Sequence, residues 1–214
     1  MRRWTLPLCA LLGVSFWAGT ATTRAAADRA QAQAASAQVA LGRQIVISHA
    51  CGECHGGGDN PAADGWLQGV ESPAMEIKMG PNLVMRPKNL TPDNTTGIGR
   101  LTERQIFNAL RYGLRPEDTP DVDITGTTPG KGNFPEHPHY LSPVMPWSAW
   151  RFMTDAEIKA IAAYLKRGLK PVVNKVADSD GPPDFWASEV TPEKIGPYPA
   201  AKFPTVNEQS ALVK

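Results

Sequence analysis

The sequence predicts an all-α domain followed by an extended, proline-rich tail, and three observations support this. Two segments, Thr102 to Leu114 and Thr154 to Arg167, open on a capping pattern and carry apolar residues at helical spacing. A third, Ala30 to Ala50, is rich in Ala and Gln, with Val39, Ile45 and Val46 recurring at the same spacing. No βαβ alternation is present, and the 46 residues after Gly168 hold seven prolines without a helical or strand period.

The chain opens on Met1-Arg2-Arg3, a positive start, followed by an uncharged apolar run from Leu6 to Ala18. Arg24-Ala25-Ala26-Ala27-Asp28 then supplies an A-x-A-like cleavage site. The apolar run falls short of the ~20 residues of a comfortable membrane span. Residues 1–27 therefore read as an export signal cleaved near Ala27, with an uncleaved N-terminal anchor as the competing reading. Cys9 lies in the apolar run and leaves with the signal. The remaining 187 residues carry a net charge of −2, against +1 for the full chain. That balance argues against nucleic acid or an anionic membrane as a partner. The expected organisation is a signal over 1–27, one domain over 28–170 and a tail over 171–214.

Each predicted element has a local cause. Within Ala30–Ala50, Gly42 costs about 1 kcal/mol against Ala, which is tolerable where another helix crosses closely. Gly56 to Arg100 is dense in Gly and Pro and reads as loop, with one short helical turn around Ala74 to Met79. In the second helix Thr102 and Gln105 form a capping box, and Ile106 and Leu110 share a face. In the third, Thr154 caps, Glu157 completes the box, and Ile158, Ile161, Ala162 and Leu165 form the stripe. Lys166 and Arg167 suit the negative helix end, and Gly168 is placed to terminate it. Between these helices, residues 115–153 hold seven prolines and no periodicity, which is long for a structureless connection unless it has a function. In the tail, Phe185, Trp186, Tyr198 and Phe203 are too apolar for a plain disordered linker, so it is expected to lie over the domain surface or a partner.

The chemistry is concentrated in Cys51-Gly52-Glu53-Cys54-His55. Two thiols three positions apart can each form a thioether to one porphyrin edge, and the histidine directly after can ligate iron beneath the ring. This predicts one covalently attached haem c, anchored by Cys51 and Cys54 with His55 as an axial ligand. A zinc site would need a second Cys/His pair, and Cys9 is the only other cysteine. A thioredoxin-like redox pair would need a βαβ context that the chain lacks. With a single CxxCH and no internal repeat, the chain is not a multihaem array.

Haem iron held by one histidine has either a sixth ligand or an open site, and this choice separates electron transfer from small-molecule chemistry. Met145 lies in Pro143-Val144-Met145-Pro146-Trp147, where prolines fix the backbone on both sides just before the last helix. It is the leading candidate, with Met79 as the main rival, Met75 and Met85 in reserve, and Met153 read as a packing residue. His49 lies too close to His55 in sequence to reach the opposite face. His137 and His139 belong to a polar loop and read first as solvated side chains.

The chain resembles the class I c-type cytochromes, and more narrowly the monohaem modules in cytochrome subunits of periplasmic alcohol, aldehyde and gluconate dehydrogenases. Cys51 to His55 carry the resemblance first, followed by Asn89-Leu90-Thr91-Pro92-Asp93 and Thr96-Gly97-Ile98-Gly99-Arg100. Tyr140 to Trp147 and Met153-Thr154-Asp155 complete it, so that it covers roughly residues 38 to 170. It implies a cytochrome c-like all-α domain whose first and last helices cross near Gly42 and around Ile161 to Leu165. It also supports Met145 as distal ligand, and assigns Pro81, in Gly80-Pro81-Asn82-Leu83, the carbonyl that orients His55. The family members usually carry two or three such modules where this chain has one. The segment 115–144 is long, and the tail has no clear counterpart.

Together these readings lead to a periplasmic monohaem cytochrome, not an enzyme in itself. It passes single electrons between redox partner proteins, a dehydrogenase donor and a carrier or oxidase acceptor, with no membrane span after signal cleavage. The alternatives are a haem enzyme or gas sensor with a labile distal ligand, or an obligate subunit of a dehydrogenase complex.

Overall fold

A computed structural model describes residues 15–181, 184 and 186–195. The expectations for residues 1–14, including Cys9, and for Phe185, Tyr198 and Phe203 lie outside these residues. The described helices are α1 (Ser15–Ser48), α2 (Cys51–His55), α3 (Glu103–Tyr112), α4 (Trp147–Trp150), α5 (Asp155–Arg167) and α6 (Pro192–Ile195). A two-stranded antiparallel hairpin pairs β1 (Ile77–Gly80) with β2 (Leu83–Met85).

Helix α1 begins earlier than the sequence pattern suggested. The chain divides into two compact units, one ending at Ala37 and the other starting at Gln38, and α1 runs through the boundary. Residues 23–37 are exposed, so this stretch is held by its own helical hydrogen bonds and not by a core. No described helix is long and apolar enough to cross a membrane.

The capped helices form where the local chemistry dictates. Thr102 Oγ1 accepts from the Gln105 backbone N–H at 3.1 Å while Gln105 Oε1 accepts from the Thr102 N–H at 3.0 Å, fixing the start of α3. Gly113, at φ 69°, ends it in the left-handed conformation that glycine adopts at no steric cost. Thr154 and Glu157 repeat the reciprocal cap at the start of α5, at 3.3 and 2.7 Å. Helix α5 ends at Gly168 for a different reason. The residue stays right-handed at φ −96°, but a Cβ there would stand 2.3 Å from Cδ2 of Tyr164, so this glycine supplies space.

The main core gathers Ile45 and Val46 of α1, Trp66 and Leu67, Ile106 and Leu110 of α3, and Ile158, Ile161 and Leu165 of α5. Gly42 lets α1 approach α5, since its Cβ would lie 1.9 Å from the Ala160 carbonyl oxygen and 2.8 Å from Tyr164 Cβ.

Two segments read as loop are more ordered than that. The turn expected around Ala74 to Met79 is a 3-10 turn at Pro73–Met75, after which the chain enters the hairpin. Strands of four and three residues are too short to print a period of two. The long segment after α3 has a core of its own, in which Ile124 and Phe134 pack with Tyr112 and Leu114. Its base is closed by Arg115 N–H to His139 O at 2.8 Å and Leu141 N–H to Gly113 O at 2.6 Å.

Beyond α5, residues 172–180 lie along the domain. Residues 172–180 make backbone and side-chain hydrogen bonds to residues 68–70, 84–91 and 96. Trp186 and Val190 then bury themselves against Trp147.

Candidate haem site

Helix α2 is a single turn comprising Cys51 to His55, so Cys51 and Cys54 lie on one side of it, one turn apart. Ala50 enters the turn with φ 53°, and Gly56, Gly57 and Gly58 leave it with φ 97°, 91° and 61°. These positive angles reverse the chain immediately after His55 and bring residues 65–69 back onto the turn. There Leu67 N–H donates to Gly56 O at 2.9 Å, and Gly69 N–H donates to His55 O at 2.7 Å.

Trp66 is the brace of this arrangement. A Cβ on Gly52 would stand 2.3 Å from its ring, and one on Gly57 2.9 Å from it, so the indole lies directly on the turn. Its Nε1–H donates to the Tyr164 hydroxyl at 2.9 Å inside the core. The turn that carries the thiols is thereby fastened to α5. The sequence reading missed Trp66, because nothing near it in sequence marks its role.

His55 donates its Nδ1–H to the carbonyl oxygen of Lys88 at 2.7 Å. A carbonyl can only accept, so this contact fixes the tautomer and leaves Nε2 as the nitrogen with a free lone pair. The carbonyl here is not the one expected. Pro81 occupies the exposed turn between β1 and β2, where its fixed φ serves the reversal, and the chain delivers Lys88 to the histidine seven residues later. Burial lowers the His55 pKa and the Lys88 hydrogen bond offsets part of that, a net shift toward the neutral imidazole, the form that ligates metal.

Lys88 is delivered by the segment that follows it. Asn89 is buried, and its Oδ1 accepts from Thr91 N–H at 2.9 Å and from Thr91 Oγ1 at 2.7 Å. Its Nδ2 donates to Thr96 Oγ1 at 3.2 Å and to Val172 O at 2.8 Å. Asp93 accepts from Thr96 N–H at 2.6 Å, from the Thr96 hydroxyl at 2.8 Å and from Thr95 N–H at 3.0 Å, which holds its carboxyl below the usual range. The segments Asn89 to Asp93 and Thr96 to Arg100 are thus one polar knot.

Cys51 and Cys54 are not joined in a disulfide, so both sulfurs are available for thioether bonds. Burial pushes Cys51 up to about 11, and burial followed by the Glu53 charge raises Cys54. A nucleophilic redox pair requires the opposite, a lowered thiol pKa. Among the described residues no group of three or more His, Cys, Asp or Glu side chains is arranged to hold a metal ion, so the pair lacks the partners of a zinc site.

The methionines separate by environment. Met145 is half-buried and packs against both the main core and the Trp147–Trp186–Val190 cluster. Met79 is 48% exposed on β1, Met75 ends a 3-10 turn, Met85 packs only on the Trp147 cluster and Met153 only on the main core. Cys51 borders the same main cluster as Met145. His49 is exposed, with Nδ1 3.0 Å from Ile45 O and its ring edge-on to Trp150. His137 is exposed, and His139 sits 3.2 Å from Asp118 on the surface.

A small helical domain in which two cysteines one turn apart, an imidazole oriented through its Nδ1–H and an apolar core meet at one turn defines a c-type haem protein. The chain belongs to the cytochrome c family, whose model matches residues 39–168, more than half of its length, and it carries covalently bound haem c. It is similar to the fructose dehydrogenase cytochrome subunit of Gluconobacter japonicus, with 26% identity over 78% of this chain and 29% of the relative. The cytochrome c subunit of the quinone alcohol dehydrogenase of Gluconacetobacter polyoxogenes is 30% identical over 81% of this chain and 30% of its own. The gluconate 2-dehydrogenase cytochrome c subunit of Pantoea cypripedii is 30% identical over 77% and 30%. The chain thus spans about three tenths of the length of these curated relatives. It is an electron-transfer haem protein of the kind found in dehydrogenase cytochrome subunits.

Proposed function

We propose that this chain is an exported monohaem electron carrier that takes single electrons from a dehydrogenase and passes them to a downstream carrier or oxidase. Cys51 and Cys54 anchor the porphyrin through thioethers, and His55 and Met145 ligate the iron. When bound, the haem supplies one-electron exchange between ferrous and ferric iron. The protein's part is to hold the site in one geometry through both oxidation states. The single observation that carries the reading is the α2 turn, where two thiols one helical turn apart stand beside an imidazole whose Nδ1–H is held by Lys88 O at 2.7 Å.

Met145 is favoured as second ligand because it alone among the described methionines packs against both the main core and the Trp147 cluster, on a backbone fixed by Pro143 and Pro146. A thioether there raises the potential and leaves no position for exogenous ligands. Arg2, Arg3, the apolar run to Ala18 and the alanines before Asp28 support export to the periplasm with cleavage near Ala27.

The names of the relatives favour a second reading, in which the chain works as the cytochrome subunit of a dehydrogenase complex. Purification from periplasmic extract separates the two, since an obligate subunit co-purifies with its dehydrogenase and a free carrier does not. The core proposal is tested on the haem-loaded protein. Carbon monoxide added to the reduced form is expected to leave the spectrum almost unchanged, whereas immediate binding would show an open distal site and turn the assignment toward a sensor or haem enzyme. Replacing Cys51 and Cys54 together by Ser is expected to abolish covalent haem retention.

A further inference from the structure

We propose that residues 172–180 are a strap that presses the Lys88 carbonyl onto His55 and thereby sets the midpoint potential, with Asn174 as the positioning residue that closes it.

The strap runs antiparallel to residues 84–91 and is tied to them repeatedly. Val84 and Asp180 exchange backbone hydrogen bonds at 3.1 and 2.9 Å. The Arg86 N–H donates to Ser179 Oγ at 3.0 Å, and its guanidinium donates to Asp180 Oδ2 at 2.8 Å. Lys88 Nζ donates to Ala177 O at 2.9 Å and Asp178 Oδ1 at 2.8 Å. Asn89 Nδ2 reaches Val172 O at 2.8 Å, and Val172 N–H donates to Thr91 Oγ1 at 3.1 Å. Residue 88 is therefore gripped by its own side chain and through its neighbours on both sides.

On its inner side the strap reaches past this segment to the layer that touches α2. Asn174 Nδ2 donates to Gln68 O at 2.8 Å and Val70 O at 3.2 Å, while its N–H donates to Thr96 Oγ1 at 2.9 Å. Residues 67–70 in turn pair with 87–90 through Leu90 N–H to Leu67 O at 2.8 Å and Val70 N–H to Pro87 O at 3.1 Å. Gly69 is pinched between the layers, since a Cβ on it would lie 2.9 Å from the Lys88 carbonyl carbon and 2.7 Å from Val176 Cγ2. Asn174 thus ties the strap directly to residues 68–70, whose Gly69 N–H meets the His55 carbonyl, and through the side chains of Thr96 and Asn89 to the segment whose Lys88 carbonyl meets His55 Nδ1.

The strap forms no helix, and only its end at Asp180 makes a strand-like bridge, so its hold rests largely on these individual hydrogen bonds. Hydrogen-bond strength falls steeply as geometry degrades. A carbonyl held firmly on Nδ1–H makes the imidazole a more basic ligand, which favours the ferric state. Loosening the strap weakens that donation and moves the potential upward. This inference rests on His55 ligating the iron as proposed above.

The test uses the full haem-loaded chain, comparing wild type with Asn174→Ala and Lys88→Met. The readouts are the midpoint potential, the hydrogen–deuterium exchange of the His55 Nδ1–H followed by NMR in the reduced state, and the urea unfolding midpoint. Asn174→Ala is expected to speed that exchange at least tenfold and to shift the potential positive, with the distal ligation spectrum unchanged. Lys88→Met releases the strap at an exposed side chain and is expected to speed the exchange several-fold; it decides by exchange alone if Asn174→Ala fails to fold. A lower urea midpoint with exchange and potential at wild-type values would make Asn174 merely structural and overturn the inference. A wild-type NMR spectrum showing that the His55 imidazole does not ligate the iron would instead overturn the reading on which it rests.

Discussion

Trp66 donates its indole N–H to the hydroxyl of Tyr164 at 2.9 Å, joining the loop that covers the thiol-bearing turn to the last core helix, 98 residues away in sequence. The same ring lies over Gly52 and Gly57, so α2 has a rigid floor on its protein side. Trp66→Phe keeps most of the apolar contact and loses the hydrogen bond, leaving the Tyr164 hydroxyl without that donor. A cost of about 1–2 kcal/mol is expected. Trp66→Ala also leaves a cavity beneath the turn and is expected to cost roughly 3–5 kcal/mol. Urea unfolding of both variants checks this, and a Trp66→Ala loss no larger than that of Trp66→Phe would show that the ring does not support the turn.

Gly42 gives a prediction whose sign runs against helix propensity. In an exposed helix Gly→Ala gains about 1 kcal/mol. Here the new methyl would stand 1.9 Å from the Ala160 backbone carbonyl oxygen, and a backbone atom cannot swing aside. Helices α1 and α5 would have to separate, at a cost of about 1–3 kcal/mol or more. Gly42→Ala is therefore expected to lower the thermal midpoint; a gain would mean that the helices do not approach as closely as described.

The parts of this molecule that were legible in its sequence are those whose cause is local. Thr102 and Gln105, or Thr154 and Glu157, announce a helix start within four residues, and both caps form as the pattern implies. Cys51, Cys54 and His55 are legible because thioether formation and iron ligation fix three positions within one five-residue window. The family resemblance assigns the His55 acceptor to Pro81, and nothing in the sequence corrects it to Lys88, since a backbone carbonyl has no side-chain signature and Lys88 lies 33 residues from its partner. Asn174 and Gln68 meet across 106 residues, and only the folded chain brings residues 172–180 onto the segments beside His55. The segment after α3 looked structureless because Ile124, Phe134 and Tyr140, which pack together with Tyr112 and Leu114, are spaced by closure of the loop and not by a helical or strand period.

Met145→Ala tests the distal assignment. The thioethers and His55 are untouched, so the haem is expected to stay attached. Loss of the thioether ligand is expected to lower the midpoint potential, since a Met ligand raises it. It also opens a position on iron, so the reduced variant is expected to bind carbon monoxide where the wild type does not. A redox titration and a carbon monoxide difference spectrum check both outcomes, and an unchanged spectrum and potential would move the ligand elsewhere, to Met79 first.

Asp93 predicts where acid begins to loosen the knot that carries Lys88. Its carboxylate accepts the Thr96 N–H and hydroxyl and the Thr95 N–H, and these bonds lower its folded pKa. A carboxyl with a depressed folded pKa contributes stability that is fully present above its unfolded value, near 3.9, and is lost as pH falls through the folded value. The wild type is therefore expected to lose stability on acidification below about pH 4 partly through this group. Asp93→Asn has no carboxylate to protonate and is expected to start less stable at neutral pH but to decline less steeply below pH 4. Urea midpoints measured for both proteins at pH 7 and at several values down to pH 3 give the two slopes. Parallel curves would show that the Asp93 hydrogen bonds do not couple to stability in solution.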